Sequence, residues 1–469
     1  SCGEDEEPLH TDPEPTLEVQ RQETPQSISN GDSKTWRISN AVLTNDSGTF
    51  DISENFNVKD DEFIFKADQT LEWRAGNDIN INGSNASETL LDYYRSPVTT
   101  TFEYSEDSST EATALNGTFS FTVEGQNSIE GVLTFAGRSA AGEIAITLTE
   151  KTASDYVTAP LSSGLDFTEV NTFNSAMVVS GSVGMTGSYA DNSMMVVTRE
   201  PEGNASGPEK IFKLLLDTNT FEFNEYLNAD FVTKRPHIIN GELIVVGGRF
   251  VNIYPLDLSG DPVTYEHLAN PIGLTRFGSA VVNDDIFIVG GDLDEDINGD
   301  KVRKFNPETG QLDEFATLPQ PRFWAESEIV NNKLYIFGGQ QVFVGSETVV
   351  ETTSYIVDLD TGNVDSFELP VELFASFTAR IENLIYVSGQ IRDDTDGDGI
   401  PDDYNIYFGV YDTNDDSFTE ISTNLDDSDL ATTVYGMTLF NDKLYVVYGD
   451  AAQPTDPIPT WQIMAADLN

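Results

Sequence analysis

The feature that most constrains the fold of this chain is a pattern that recurs between residues 238 and 339. Each copy has an apolar run, an Asn-containing turn, a second apolar run and a Gly-Gly pair. The copies are residues 238–248 (IINGELIVVGG), 281–291 (VVNDDIFIVGG) and 329–339 (IVNNKLYIFGG). Weaker copies end at Ser388-Gly389 and Tyr448-Gly449, and the weakest surrounds residues 191–197. Because the copies recur about every 50 residues, the chain is predicted to repeat one multistranded unit.

The second half of each unit carries its own motif. The motif occurs at residues 216–220 (LDTNT), 305–310 (FNPETG), 357–362 (VDLDTG) and 410–414 (VYDTN). Each copy is predicted to form the hairpin turn before an outermost strand. The Gly pair in the first half is predicted to let neighbouring units approach closely where the strand ends.

Together the two motifs resemble the kelch repeat. The resemblance implies a six-bladed kelch-type β-propeller over residues 160–469. The last unit stops near residues 465–469, before an outermost strand, and residues 166–170 (DFTEV) match the strand that it lacks. We therefore expect the two ends of this region to pair in one sheet and to close the ring.

A different pattern covers residues 34–155, where short alternating apolar runs are separated by Gly, Asn, Asp and Ser. About eight antiparallel strands are expected, in a small β-barrel or sandwich. The early Trp36 and the run DDEFIFKADQTLEW at residues 60–73 resemble the lipocalin-like domains of Bacteroidota lipoproteins. The predicted fold class is therefore all-β: a small antiparallel β-barrel/sandwich followed by a six-bladed kelch-type propeller.

Residues 1–33 are acidic and rich in Pro, Gln, Ser and Thr, so they are predicted to form a disordered linker. Cys2 is the single cysteine of the chain. Ser1-Cys2-Gly3 and the acidic residues that follow resemble the end of a bacterial lipobox with a surface-export signal. The resemblance implies a lipid anchor on Cys2 in the outer membrane, with the protein facing the cell exterior. The alternative is a free thiol without a role.

The charge of the chain limits its partners. Lys and Arg number 24 against 80 Asp and Glu, which gives a formal net charge of −56. Such a charge disfavours nucleic acid and anionic membrane surfaces as partners. Contact with a membrane is therefore expected through a lipid anchor only.

Two acidic loops are candidate Ca²⁺ sites, because carboxylates two residues apart converge on one ion and Gly permits the turn. The first has the ligand candidates Asp394, Asp396, Asp398, Ile400, Asp402 and Asp403. The second has Asp292, Asp294, Asp296, Asn298 and Asp300. Structural Ca²⁺ is predicted at both loops, and the alternative is a pair of solvated acidic loops. Both loops follow a Gly-Gly strand and are expected on the face where the innermost strands begin.

A candidate ligand site lies near the predicted starts of three innermost strands. Its residues are Arg235, Arg276, Arg322, His237 and Trp324. Three arginines, one in each of three successive units, suit an anion such as a carboxylate or an acidic sugar. The alternative is that these arginines form hydrogen bonds between blades.

Signals for catalysis are weak. The chain has three histidines, and no G-x-S-x-G motif or sialidase Asp-box is present. The leading hypothesis is a cell-surface lipoprotein that binds a glycan, a protein partner or an outer-membrane complex. The alternatives are a carbohydrate-active enzyme, such as a lyase or a sugar isomerase, and a structural spacer.

Overall fold

The computed structural model describes part of the chain. The described residues are 19, 26, 28–45, 48–51, 53, 62–74, 98–104, 110–114, 117–124, 128–136, 141–151, 163–175, 183–188, 192–199, 209–226, 233–239, 242–247, 250–266, 276–282, 285–291, 299–341, 349–350, 352–381, 383–393, 403–426, 432–440, 443–450 and 458–468. Most of them lie in β-strands and almost none in a helix, so the predicted all-β class is confirmed. No helix in these ranges combines the length and apolar character that crossing a membrane requires.

The first nine strands form one antiparallel sheet. They are β1 (Ser33–Asn45), β2 (Gly48–Asp51), β3 (Glu62–Lys66), β4 (Thr70–Arg74), β5 (Val98–Tyr104), β6 (Thr110–Ala114), β7 (Gly117–Glu124), β8 (Ser128–Ala136) and β9 (Ala141–Glu150). The order is β2-β1-β3-β4-β5-β6-β7-β8-β9, and β1 also pairs with β9. The sheet therefore closes on itself, and we call it the closed sheet.

The side chains described in the closed sheet alternate between its interior and its exterior. On β9, Ile144, Ile146 and Leu148 are buried, whereas Glu143 and Glu150 are exposed. Trp36 is fully buried, and its indole N–H donates to the carbonyl of Ile28 at 3.0 Å. Ile28 and Ser29 are thus part of the packed structure, although they lie before the predicted domain boundary at residue 34.

The remaining strands lie between residues 164 and 467. They begin with β10 (Gly164–Leu165) and β11 (Thr168–Asn174). Sheet 1 contains β12 (Gly184–Ser188), β13 (Ser193–Arg199), β14 (Glu209–Leu215) and β15 (Thr220–Tyr226). Sheet 2 contains β16 (Arg235–Ile239), β17 (Glu242–Val246), β18 (Phe250–Pro255) and β19 (Val263–Glu266). Sheet 3 contains β20 (Gly278–Val282), β21 (Asp285–Val289), β22 (Lys301–Asn306) and β23 (Gln311–Thr317).

Sheet 4 consists of β24 (Glu326–Val330), β25 (Lys333–Phe337), β28 (Thr353–Asp358) and β29 (Val364–Glu368), with a short β26 (Gln340–Gln341) and β27 (Val349–Val350) ladder inserted. Sheet 5 consists of β30 (Phe374–Ile381), β31 (Leu384–Asp393), β32 (Asp403–Asp412) and β33 (Ser417–Glu420), followed by β34 (Ser422–Thr423). Sheet 6 consists of β35 (Thr432–Phe440), β36 (Lys443–Asp450), β37 (Thr460–Asp467) and the distant β11.

The predicted pairing between the two ends of this region is confirmed. β11 pairs antiparallel with β37, from Thr168 opposite Ala465 to Asn174 opposite Thr460. The strand extends further towards the C-terminus than the predicted residues 166–170. Gly164–Leu165 adds a short parallel pairing with Ser422–Thr423 of the neighbouring unit.

The first strands of the six sheets contact one another in a closed cycle. In this cycle β12 contacts β16, β16 contacts β20, β20 contacts β24, β24 contacts β30, β30 contacts β35, and β35 contacts β12. Each sheet therefore has two neighbours, and the cycle has no free end.

This arrangement explains why the second strand of each unit is a continuous apolar run. On β17, Leu243 and Val245 pack into a cluster with sheet 1, whereas Ile244 and Val246 pack into a cluster with sheet 3. Successive side chains of a strand point to opposite faces, so a strand between two sheets needs apolar residues at every position. Burial of each such side chain contributes about 1.5–3 kcal/mol.

The hairpin turns predicted from the second motif are confirmed. In the turn between β28 and β29, the Asp358 carboxylate accepts from the N–H and hydroxyl groups of Thr361 at 2.8 Å each. These hydrogen bonds lower the pKa of Asp358. Gly362 closes the turn with a φ of 73°, which glycine adopts without the strain that a Cβ would bring.

Two of the Gly-Gly pairs, at residues 290–291 and 338–339, lie at close approaches between neighbouring units, as predicted. Gly290 has a φ of 65°, and a Cβ there would lie 2.1 Å from the carbonyl oxygen of Arg322. A Cβ on Gly338 would lie 2.3 Å from the Ser376 hydroxyl of sheet 5. Larger residues at these positions would push adjacent sheets apart.

Candidate functional site

The starts of the six first strands adjoin one another, and we call this end of the sheets the entry end. A chain of hydrogen bonds runs there from sheet to sheet. The N–H of Arg276 donates to the Thr233 hydroxyl at 2.6 Å, and the N–H of Trp324 donates to the Arg276 carbonyl at 2.7 Å. The N–H of Ser376 then donates to the Trp324 carbonyl at 3.0 Å. Residues just before three successive first strands are thereby fixed.

Two of these residues adopt left-handed backbone conformations. Arg276 has a φ of 61° and Trp324 a φ of 54°. Positive φ is unfavourable for bulky residues and persists where surrounding structure enforces it. Here the sheet-to-sheet hydrogen bonds enforce it, and strain of this kind is concentrated at functional sites in proteins.

The side chains of these residues form a stack from three sheets. The Arg276 guanidinium lies 4.3 Å from the centroid of the Trp324 ring. The Trp324 and Phe374 rings have centroids 5.2 Å apart and planes inclined by 59°. All three residues are partly exposed. The stack therefore presents a cation and aromatic edges at the entry end.

Beside the stack, an ion pair bridges two sheets that are not neighbours. Arg235 of sheet 2 pairs with Glu326 of sheet 4, and their side chains are only 9% and 8% exposed. Arg235, Gly278 and Glu326 occupy the same register position, since each pairs with the fifth residue of its second strand. Gly278 belongs to the intervening sheet 3, and its missing side chain leaves room between the two partners.

Close approach explains why glycine stands at that position of sheet 3. A Cβ on Gly278 would lie 2.5 Å from the Ala325 carbonyl oxygen and 3.0 Å from the Cα of Glu326. The carboxylate of Glu326 also accepts from the backbone N–H groups of Ser279 and Ser327. Glu326 is thus held by donors from three sheets.

His237 joins the same cluster through sheet 3. Its Nε2 lies 2.7 Å from the Ser279 hydroxyl. Burial, and then the positive charge of Arg235, lower the pKa of His237 to about 3. The imidazole is therefore neutral near neutral pH, and it adds no positive charge to that of Arg235.

Burial has the opposite effect on Glu326. It raises the pKa of Glu326 to about 7, although Arg235 and the hydrogen bonds to the carboxylate oppose the rise. A carboxyl group with such a pKa exchanges a proton near neutral pH, and this property suits a general acid or base. We call Arg235, His237, Ser279 and Glu326 the buried cluster.

Arg322 is not part of the buried cluster. Its side chain is fully buried and donates to the carbonyls of Thr353 at 2.8 Å and Pro321 at 3.0 Å. Its guanidinium carbon also lies 4.7 Å from the centroid of the Tyr355 ring. The three arginines singled out in the sequence occupy three different positions relative to their first strands. The Arg322 side chain therefore bonds within its own unit and not between blades as the alternative had it, whereas Arg235 does join two sheets.

A second buried ion pair joins sheets 1 and 2 next to Arg235. Lys234 Nζ lies 2.5 Å from Glu209 Oε2, and the Tyr254 hydroxyl donates to the other carboxylate oxygen of Glu209. The side chains of Lys234 and Glu209 are 1% and 0% exposed. Lys234 and Tyr254 of sheet 2 both contact the Glu209 carboxylate of sheet 1, so these side chains connect the two sheets.

Most of the predicted Ca²⁺ ligands lie outside the described residues. They are Asp292, Asp294, Asp296, Asn298, Asp394, Asp396, Asp398, Ile400 and Asp402. Cys2 lies outside them as well. Asp403 begins β32, and Asp300 precedes β22. Within the described ranges, Asp300 Oδ1 is buried without a hydrogen-bond partner. No group of three metal-binding side chains occurs in the part of the chain that the structure describes.

Sequence reasoning missed Glu326, Ser279 and Phe374. Glu326 carried a usable signal, because it is an acid inside a strand that is otherwise buried, at the register position of Arg235. The pairing of Glu326 with Arg235 could not be predicted from the sequence pattern, because it depends on the distance between sheet 2 and sheet 4.

Comparisons with protein-family models and with curated protein sequences find no match to this chain.

Proposed function

We propose that residues 163–468 form a six-bladed kelch-type β-propeller that acts as a binding module and recognises its ligand at the entry end. The closed cycle of first strands and the shared sheet formed by β11 and β37 support the propeller. In this arrangement the first strands surround a central channel, and the entry end is one of its mouths.

The observation that carries the binding function is the stack of Arg276, Trp324 and Phe374. Three successive sheets each supply one partly exposed side chain, and two of the three have a strained backbone. Arg and aromatic residues are the types most enriched where proteins bind partners. The ligand classes we propose are a surface glycan, a protein partner or an outer-membrane complex.

Capture experiments with matched variants test this proposal. The wild-type protein is applied to a glycan array and used as bait with solubilised outer membranes. Arg276→Ala is expected to weaken binding of any captured ligand at least tenfold, because a charge-assisted hydrogen bond contributes about 1.5–3 kcal/mol. Lys333→Ala removes an exposed cation at the opposite end of sheet 4 and serves as the control. An empty capture and a flat array with the wild type would refute the function.

A second candidate function is catalysis on a carbohydrate, by a lyase or a sugar isomerase. It is favoured by the buried cluster, in which Glu326 exchanges a proton near neutral pH beside Arg235. Both reactions need a base for a carbon-bound proton and a cation for the adjacent oxyanion. Turnover of an acidic or reducing sugar that disappears in Glu326→Gln, while binding persists, would support catalysis. Turnover retained in that variant would exclude Glu326 as the base.

We also propose structural Ca²⁺ in the loops at 292–300 and 394–403. The buried Asp300 Oδ1 fits an oxygen ligand for a hard cation. Ca²⁺ is expected to raise the Tm of the wild type, and Asp396→Asn together with Asp296→Asn to abolish that rise. An equal Tm with Ca²⁺ and with a chelator would contradict the proposal.

Attachment to the outer membrane through Cys2 is a further part of the proposal. Its support is the Ser1-Cys2-Gly3 sequence with the acidic residues that follow it. Metabolic labelling with a fatty-acid analogue is expected to mark the wild type and not Cys2→Ser. Labelling of both proteins would place the acyl group elsewhere.

A further inference from the structure

The Arg235–Glu326 pair differs from the buried Lys234–Glu209 pair in what holds its members in place. The Lys234–Glu209 pair joins adjacent sheets and is reinforced by the Tyr254 hydroxyl. Arg235 and Glu326 instead reach each other past the bare backbone of Gly278. Separation of the two side chains breaks no hydrogen bond between strands.

Each partner has a second set of interactions that would remain after separation. Arg235 also donates to the carbonyl of Lys234 at 3.1 Å. Glu326 accepts from the backbone N–H groups of Ser279 and Ser327. Arg235 can therefore stay in place and pair with another carboxylate, for which a guanidinium is suited by its planar set of donors.

The low exposure of the pair restricts how such an exchange can occur. An ionised carboxylate without a cation is costly in a buried site, and it becomes neutral instead. His237 is neutral beside Arg235, so it does not supply a second positive charge. A site with one cation and two carboxyl groups therefore stabilises only one carboxylate in ionised form.

We propose that a ligand carboxylate replaces Glu326 as the partner of Arg235, and that Glu326 takes up one proton in the exchange. This inference rests on the proposed binding function of the entry end. The bonds that change are the ion pair between Arg235 and Glu326, which breaks, and a new ion pair between Arg235 and the ligand. The proton comes from solvent, so charge within the buried cluster is conserved.

Other ionisable groups lie on the elements around Glu326. They are Lys234 and His237 of sheet 2, Arg276 before β20, Arg322, Glu328, Lys333 and Tyr335 of sheet 4, and Arg380 on β30. Lys234 is paired with Glu209, and Arg322 donates to backbone carbonyls in its own sheet. Arg235 forms the ion pair with Glu326.

Calorimetric titration with trigalacturonate tests the exchange, because each of its sugars carries a carboxylate. The matched control is the fully methyl-esterified trimer, which has the same sugars without the charges. Titrations in two buffers with different ionisation enthalpies give the number of protons taken up. We expect uptake of about 0.9 proton per bound trimer at pH 8 and about 0.1 at pH 6. The reason is that the pKa of Glu326 in the protein without ligand is about 7, so the carboxyl group is mostly ionised at pH 8 and mostly protonated at pH 6. Affinity should fall about tenfold between pH 6 and pH 8.

The variant Glu326→Gln isolates the carboxyl group. It should bind trigalacturonate with the same affinity at pH 6 and pH 8, without proton uptake. Circular dichroism establishes whether this variant folds. If the variant does not fold, the proton uptake measured with the wild type in two buffers tests the exchange by itself.

The outcomes separate this inference from the function on which it rests. Binding of the trimer without proton uptake, or equal binding of its methyl ester, overturns the exchange and leaves the binding function intact. Another result would be that the trimer fails to bind while a ligand from the capture experiments still binds and depends on Arg276. That result also overturns the exchange and leaves the binding function intact. Failure of every ligand to bind the wild type overturns the binding function, and the exchange with it.

Discussion

The two ends of the six sheets are built from different interactions. At the turn end, where first strands lead into second strands, one backbone contact recurs in sheets 1, 4 and 5: the N–H groups of Leu216, Leu359 and Thr413 donate to the carbonyls of Asn192, Asn332 and Asn383. In sheets 1 and 5 the Asn side chains also donate to Asp217 and Asp412, at 2.6 Å each. At the entry end backbone hydrogen bonds also recur, but the side-chain contacts between sheets differ from place to place among the described residues. The Arg276 stack, the Arg235–Glu326 pair and the Lys234–Glu209 pair each occur once and join different sheets. Repeated contacts maintain a fold, whereas contacts unique to one place are free to serve recognition.

Arg322→Ala should have the largest effect on stability, although Arg322 lies at the entry end. Its loss removes the hydrogen bonds to the part-buried carbonyls of Thr353 and Pro321 and opens a cavity where a fully buried side chain stood, at a cost of about 4 kcal/mol. Arg276→Ala should cost less than about 1 kcal/mol, because Arg276 is partly exposed. Unfolding in denaturant measures both. Equal losses would contradict the division between structural and recognition arginines.

Gly290→Ala should have the next largest effect, about 3 kcal/mol, because a left-handed Ala is strained and its Cβ would meet the Arg322 carbonyl. Gly260 provides a matched control, since its φ is 77° and a Cβ there would meet nothing within 4 Å. Gly260→Ala should cost only about 1 kcal/mol. Similar losses for both variants, in the same denaturant experiment, would show that backbone strain alone matters at the Gly-Gly pair.

The pH dependence of stability should reveal the buried cluster through two opposite slopes. The pKa of Glu326 rises on folding from 4.5 to about 7, so its contribution to stability falls by about 2 kcal/mol from pH 5 to pH 7. The pKa of His237 falls on folding from 6.5 to about 3, so its contribution to stability is lost as the pH falls from 6.5 to 3, by about 2 kcal/mol above pH 4.5 and about 2 kcal/mol below it. The two contributions oppose each other between pH 5 and pH 6.5, and variants are needed to separate them.

Variants assign each slope to its residue. The difference in unfolding free energy between wild type and Glu326→Gln should change between pH 5 and pH 7. The difference between wild type and His237→Gln should change between pH 6.5 and pH 3. Differences that stay constant with pH would mean that neither group titrates as its burial requires.

Asn383→Ala tests the turn end and should have the smallest effect, about 1 kcal/mol, through loss of one part-buried hydrogen bond. Asn414→Ala is the control, because only the backbone N–H of Asn414 bonds Asp412. Thermal unfolding should show a lower Tm for the first variant and an unchanged Tm for the second. A loss at Asn383 as large as that at Arg322 would remove the contrast between the two ends.

Sequence reasoning succeeded where structure is local and repeated. The apolar runs on both sides of Asn240, Asn283 and Asn331 became paired strands, because each pairing spans only a short hairpin. The turn motif at 357–362 is fixed by local hydrogen bonds, in which the N–H groups of Thr361 and Gly362 donate to the carboxylate and the carbonyl of Asp358. The strand expected at 166–170 was found because the last unit needed a partner, although its bounds were set too early.

The candidate site was only partly predictable. Arg235, Arg276, His237 and Trp324 do lie at the entry end, but as members of two different clusters. Arg322 had the same appearance in sequence and turned out to donate to the backbone of its own sheet. A side chain of this length contacts whatever lies around it, so its role depends on distances between sheets.

By itself the sequence determined the strands, the hairpins and the repetition of the unit, because these depend on alternation, on Gly and Asn turns and on contacts between neighbouring residues. Only the tertiary structure decided which charges meet. Arg235 and Glu326 are 91 residues apart in sequence numbering and belong to sheets that are not neighbours. They meet because a closed cycle of six sheets brings the first strands together and because Gly278, between them, has no side chain. Closure of the cycle is a property of all six sheets at once, and no single unit carries it in its sequence.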